Sequence, residues 1–259
     1  MYRWVIAGTL CAALAACGTS SEPAVQATAD TWLQPPVATS PATEAPAKTP
    51  PKLVTYPAHG TVKWLLAPGQ QTPIAGTGGR LLRYRVAVER DIKNLSTPAF
   101  AEAVTAILSD RRSWIGGGDL RLRRVGPADP YDFTIFLATP DTRDRLCADI
   151  ADGYTSCRNG DAVVLNVARW VKAVPGYAAD LGVYRQYMVN HEVGHRLGHG
   201  HELCPGVGRL APVMQQQTLG MHGCKPNAWP YPNGGGPVYH GPSGQYDDQP
   251  PQRDQGRLS

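Results

Sequence analysis

The sequence predicts an α/β domain built on one mixed, twisted β-sheet, with one helix backing the sheet and another carrying the chemistry. Three observations lead there. Segments between residues 80 and 200 run in the order strand, helix, strands, helix, which favours strands and crossover helices sharing a single sheet. Asn159-Gly160 separates two apolar runs, and this pair tolerates the positive φ angles of a tight hairpin. The stretch "AADLGVYRQYMVNHEVGHRLGHG" (178–200) repeats Val189, Val193 and Leu197 at four-residue intervals, the spacing of one helix face.

Each element has its own signature. "RLLRYRVAVE" (80–89) alternates apolar and basic side chains and reads as a strand. "STPAFAEAVTAILSDRRSW" (96–114) opens on a capping Ser or Thr followed by Pro, and Phe100, Val104, Ile107 and Leu108 fall at helical spacing. "DLRLRRV" (119–125) and "YDFTIFLAT" (131–139) are strands, the second apolar enough to be central. "PDTRDRLC" (140–147) is a short helix, and "YTSCRNGDAVVLNVARW" (154–170) supplies the two hairpin strands. Trp114, Trp170 and Tyr187 read as core. The runs "GTGG" and "IGGGD" lack the Lys-Ser/Thr of a phosphate loop and read as turns.

The two ends differ in composition from this domain, which is placed at 53–230. Residues 1–16 carry one positive charge, Arg3, before an apolar run too short to span a bilayer, which is the pattern of a secretory signal. Its close, Leu14-Ala15-Ala16-Cys17, resembles the lipobox of bacterial lipoproteins, implying cleavage before Cys17 and acylation of its sulfur. Residues 17–52, rich in Ala, Pro, Thr and Ser, are expected to form a flexible linker, and 231–259, rich in Gly, Pro and Gln, a disordered tail. The net charge of +4 is scattered, which argues against a nucleic-acid partner. With Cys11 in the signal and Cys17 lipidated, Cys147, Cys157, Cys204 and Cys224 remain for an oxidising compartment. Of the three possible pairings, the two nearest in sequence, Cys147–Cys157 and Cys204–Cys224, are expected.

The chemistry lies in "HEVGHRLGHGH" (191–201), which holds four of the chain's seven histidines. His191 and His195 are four residues apart, a rotation of about 400°, so both rings leave one helix face a turn apart. That spacing suits two ligands of one metal ion. Glu192 lies off the ligand direction, where it can reach a water. Gly198 suits a sharp helix end in a left-handed conformation, after which the chain can return His201 as a third ligand. His199 is expected to face solvent or support a ligand. His222 and Cys224 can be imagined joining Cys204 in a second zinc site, though a disulfide accounts better for those cysteines. His59 and His240 read as surface residues.

The full spacing His-Glu-x-x-His-x-x-Gly-x-x-His, met by His191, Glu192, His195, Gly198 and His201, resembles the metzincin clan of zinc peptidases. The wider run from about 75 to 230 also resembles a family of secreted and lipoprotein domains of high-GC Gram-positive bacteria. The clan resemblance implies a Zn²⁺ cofactor, a methionine turn at Met214 in "APVMQQQ", and endopeptidase activity with Glu192 as general base on a zinc-activated water. It implies a peptide or protein substrate laid antiparallel to an edge strand around Tyr154–Cys157. The tyrosine that several clan members carry just past the methionine has no counterpart in "MQQQTLGMHG", leaving Tyr231 as candidate helper. Together with the lipobox, the expected location is the outer face of a membrane. Two other functions fit the same residues: a lipid-anchored zinc module that binds without turnover, and a hydrolase of cell-wall peptides.

Overall fold

A computed structural model describes residues 52–148 and 151–258, all within one unit, Pro50–Ser259. The expected signal peptide (1–16), the lipidated Cys17 and the linker up to residue 51 lie outside the described residues.

The chain forms β1 (Tyr56–Pro57), β2 (Trp64–Leu66), β3 (Arg80–Glu89), α1 (Thr97–Ser109), a 3-10 turn (Trp114–Gly117), β4 (Leu120–Arg124), β5 (Phe133–Ala138), α2 (Pro140–Cys147), β6 (Cys157–Asn159), β7 (Ala162–Asn166), α3 (Val167–Lys172), α4 (Leu181–Arg196) and β8 (Gly256–Arg257). Six strands make the main sheet in the order β2-β3-β5-β7-β6, with β4 also paired to β3. β3, β4, β5 and β7 are parallel, while β2 and β6 run antiparallel at the two ends. This is the mixed α/β sheet that the element order implies.

Pleat alternation divides the sheet into two faces. Leu82, Tyr84, Val86 and Val88 of β3, with Phe133, Ile135 and Leu137 of β5, point into the main core beneath α1 and α4. There they meet Phe100, Val104 and Leu108 of α1 and Val189 and Val193 of α4, all buried. Ser96 caps α1 by accepting from Ala99 N, and buried Arg124 pins that helix to β4 through an ion pair with Glu102. A smaller cluster on the other face joins Ala138, Cys147, Cys157 and Val164, with Trp64 and Phe136 packed alongside. The Cys147–Cys157 disulfide lies in that cluster and ties α2 to the edge strand β6; the second disulfide is Cys204–Cys224. Both pairings are those expected, and they fit an oxidising, extracytoplasmic compartment. No helix among the described residues is long and apolar enough to cross a membrane.

Two expectations need correction. Residues 231–258 are not a loose tail. β8 pairs antiparallel with β1, Arg253 forms ion pairs with Asp141 and Asp144, and Asp254 accepts from Tyr56 Oη at 3.0 Å and Lys172 Nζ at 2.9 Å. Scattered long-range charges hold a segment whose composition offers no local pattern. The hairpin's second strand also stops early: Asn166 caps α3 by accepting from Ala168 N at 3.0 Å, so the "VARW" end of that run is helical.

Candidate metal centre

Asp180 starts α4 by accepting from Val183 N at 2.8 Å. The helix keeps Val189 and Val193 in the core, which turns His191 and His195 to the cavity side one turn apart. It closes with Gly198 N bonded to His195 O at 3.1 Å and His199 N to Gly194 O at 3.0 Å. Gly198 takes φ +98°, the positive value that an abrupt helix end favours. The reversed chain delivers His201 beside the other two rings. The Nε2 atoms of His191 and His201 lie 3.2 and 3.1 Å from Nε2 of His195.

These residues fit a metal ion. Their three ligand nitrogens lie within 4.8 Å of one another. A tetrahedral ion with bonds of about 2.0–2.1 Å sets its ligands about 3.3 Å apart, close to the two spacings seen here. Each ring is also fixed from behind. Nδ1–H of His191 donates to Val213 O at 2.8 Å, that of His195 to His199 O at 2.9 Å, and that of His201 to Gln245 Oε1 at 2.9 Å. With Nδ1 carrying the proton, each Nε2 lone pair is left for the common point. Burial reinforces the neutral state. It drives the His191 pKa well below the ordinary value, aided by the neighbouring His195 and His201, and lowers that of His195 to about 4.

Met214 packs against α4 at Gly194, between the two helical histidines. It is buried, and a Cβ placed on Gly194 would meet its Sδ at 2.5 Å, so the glycine inside "HEVGH" permits the approach. Asn190 locks the surrounding loops: its side chain bonds Ser113 Oγ at 2.7 Å and Ala228 O at 2.9 Å, while its carbonyl accepts from Trp114 Nε1 at 2.8 Å. Glu192 is buried and lines the same cavity of about 640 Å³ as the three histidines. The hydroxyl of Tyr187, also in that wall, titrates far above its ordinary range, through burial first and then the nearby Tyr184 and Glu192. Thr155 to Arg158, leading into and along edge strand β6, form one rim; Thr218 and Leu219 lie on the lining too, with residues 245–250 completing it.

The other sequence candidates separate cleanly. The ring of His199 stacks on Trp114 with centroids 4.3 Å apart, outside the ligand group, while its carbonyl supports His195. His222 bonds Asp248 at 2.6 Å, and the Cys204–Cys224 disulfide removes the alternative of a second zinc site there. His59 contacts Asp141, and His240 bonds Glu202 at 2.6 Å. Tyr231 is not at the cavity: its ring packs over Gly116 and Gly117, and among the described residues the tyrosines lining the cavity are Tyr187 and Tyr246. Gln245, Gly194 and Asn190 are contributors that sequence reasoning missed. Only Asn190 left a trace, as a polar residue beside the apolar stripe of a buried helix.

Residues 50–232 match the family model described as "Protein of unknown function (DUF3152)", a match that ends before the segment bearing Gln245. No curated protein and no solved structure matches the chain.

Proposed function

The chain belongs to the DUF3152 family, and we propose that it is a zinc-dependent endopeptidase of metzincin type, held at the outer face of a membrane through Cys17. One observation carries the proposal: three imidazoles converge through Nε2, with a buried carboxylate, Glu192, on the wall of the same cavity. A site built only to hold structure closes its fourth position and has no need of a base.

His191, His195 and His201 would hold the ion. Zinc in such a setting supplies Lewis acidity, acidifying water and polarising a peptide carbonyl. Glu192 takes the proton released as water attacks the carbonyl carbon, then returns it to the departing amine nitrogen, so no net proton is gained or lost. The outer edge of β6, the last strand of the sheet among the described residues, is suited to pairing with an extended substrate backbone, and Cys147–Cys157 stiffens that rim. Met214 beneath Gly194 and Gly198 at the helix end support the metzincin resemblance.

Glu192→Ala tests the reading. The variant is expected to retain zinc while cleavage of a mixed peptide library falls by about 10²–10⁴-fold, the range a positioned general base supplies. Cleavage at the wild-type rate would end the assignment. A second reading, a zinc module without turnover, draws on residues 245–250, which line the cavity beside the three histidines. Wild-type protein that binds zinc but leaves both the peptide library and purified cell-wall peptides intact supports that alternative.

A further inference from the structure

We infer that Gln245 is a positioning residue of the metal centre, and that the C-terminal segment is therefore part of the site. The inference rests on the zinc reading above and assigns the residue that orients its third ligand.

His191 and His195 are fixed by a rigid helix, and their Nδ1 partners are backbone carbonyls, those of Val213 and His199. His201 differs on both counts. It sits beyond the helix end, and its Nδ1 partner is a side chain 44 residues away, Gln245. An imidazole on a loop turns about its Cα–Cβ and Cβ–Cγ bonds unless its second nitrogen is held, and ligating histidines are held in this way by carbonyl or carboxylate oxygens. The amide oxygen of Gln245 meets that requirement. It accepts the Nδ1 proton and leaves Nε2 facing its partner on His195 at 3.1 Å.

The placement of Gln245 is built in several steps. Glu202 pairs with Ser243 in an isolated antiparallel bridge. Leu203 N donates to Pro242 O at 2.7 Å, and Gly244 N to His201 O at 3.0 Å. Glu202 grips the start of the returning chain through His240 Nδ1 at 2.6 Å and Gly241 N at 3.1 Å. Residues 240–244 are thus zipped along 201–203, and the next side chain arrives beside the ring of His201. The far end of the segment is fixed by Arg253 and Asp254. Because Gln245 itself is solvent-exposed, removing its amide leaves no core cavity.

Full-length wild type, Gln245→Ala and Gln245→Glu are titrated with zinc against a chromophoric chelator, and the metal-free proteins are melted alongside. Wild type is expected to bind one zinc. Gln245→Ala weakens binding by about 10–100-fold, the usual effect of losing such a partner, while its metal-free melting temperature stays within about 2 °C of wild type, as for a surface substitution. Gln245→Glu, which restores an acceptor oxygen, recovers the affinity. Wild-type affinity in Gln245→Ala overturns the inference, as does equal weakening in both variants, since that would assign the effect to packing. Failure of wild type itself to bind zinc overturns the reading beneath the inference, a result the variants cannot mimic.

Discussion

Gly194 lies against Met214 so closely that a β-carbon on the glycine would sit 2.5 Å from the methionine sulfur and 2.6 Å from Cζ2 of Trp114. The contact falls between the two helical histidines, so anything that moves Met214 or Trp114 is felt at the ligands. In a free helix Gly→Ala would gain about 1 kcal/mol. Here overpacking costs of about 1–3 kcal/mol act against that gain, because Trp114 and Met214 are both buried. Gly194→Ala is therefore expected to be neutral to destabilising, by up to about 2 kcal/mol in urea unfolding, with weaker zinc binding. A variant more stable than wild type by the full helix-propensity gain would refute the packing argument.

Gly198 poses the opposite case, since a β-carbon there meets nothing within 4 Å. Only the backbone constrains it: φ is +98°, which L side chains adopt at a cost of about 1–2 kcal/mol. Gly198→Ala should lower unfolding stability by that amount with no steric contribution. Because the bend delivers His201, zinc affinity should fall as well. Denaturation that leaves Gly198→Ala and wild type indistinguishable would mean that the bend is not held in the folded state.

The helix that carries the ligands was legible because one run of residues contains its apolar stripe, its paired histidines and its terminating glycine. The sheet was legible for a related reason: β3 is long enough to display alternation, β5 is apolar enough to read as central, and Asn159-Gly160 marks the hairpin. α3 was hidden because its six residues continue an apolar run from β7, and only the Asn166 cap separates them. The C-terminal segment was illegible for a deeper reason. Asp254 and Arg253 act on residues about 80 to 200 positions away, and nothing in "GGGPVYHGPSGQYDDQPPQRDQG" announces those partners. The same distance hid Gln245, so the sequence showed which residues could bind metal but not what orients the third.

Asp254 is the clearest test of that segment's order. Burial opposes its charge, yet Lys172, the Gly256 amide and Tyr56 overcome this and hold its pKa below the usual carboxylate range. Asp254→Ala leaves Arg169 without this partner at 3.3 Å and frees the Tyr56 hydroxyl. A loss of about 1–3 kcal/mol is expected, the cost of stripping a charged acceptor from buried donors. Limited proteolysis should then cut within 231–258 at least several-fold faster than in wild type. Equal cleavage rates in the two proteins would return the segment to a loose tail.

Acid should weaken the metal-free domain well above the range where carboxylates titrate. An unfolded chain protonates its histidines near pH 6.5. In the folded state burial keeps His195 neutral down to about pH 4 and holds the His191 pKa well below its ordinary value. Below pH 6.5 the unfolded chain therefore binds more protons than the folded one, and stability falls as pH falls. The stabilisation is complete above about pH 7 and is lost progressively towards pH 4. At 1.36 kcal/mol per pH unit, His195 contributes a loss of at most roughly 3 kcal/mol across that window, an upper figure because the ring is only partly buried. Urea unfolding of metal-free protein at pH 7.5, 6 and 5 gives the slope, and His195→Gln should flatten it by removing one titrating ring. An unchanged slope in that variant, or a wild-type stability constant from pH 7.5 to 5, would mean that burial does not hold His195 and His191 neutral in the folded protein.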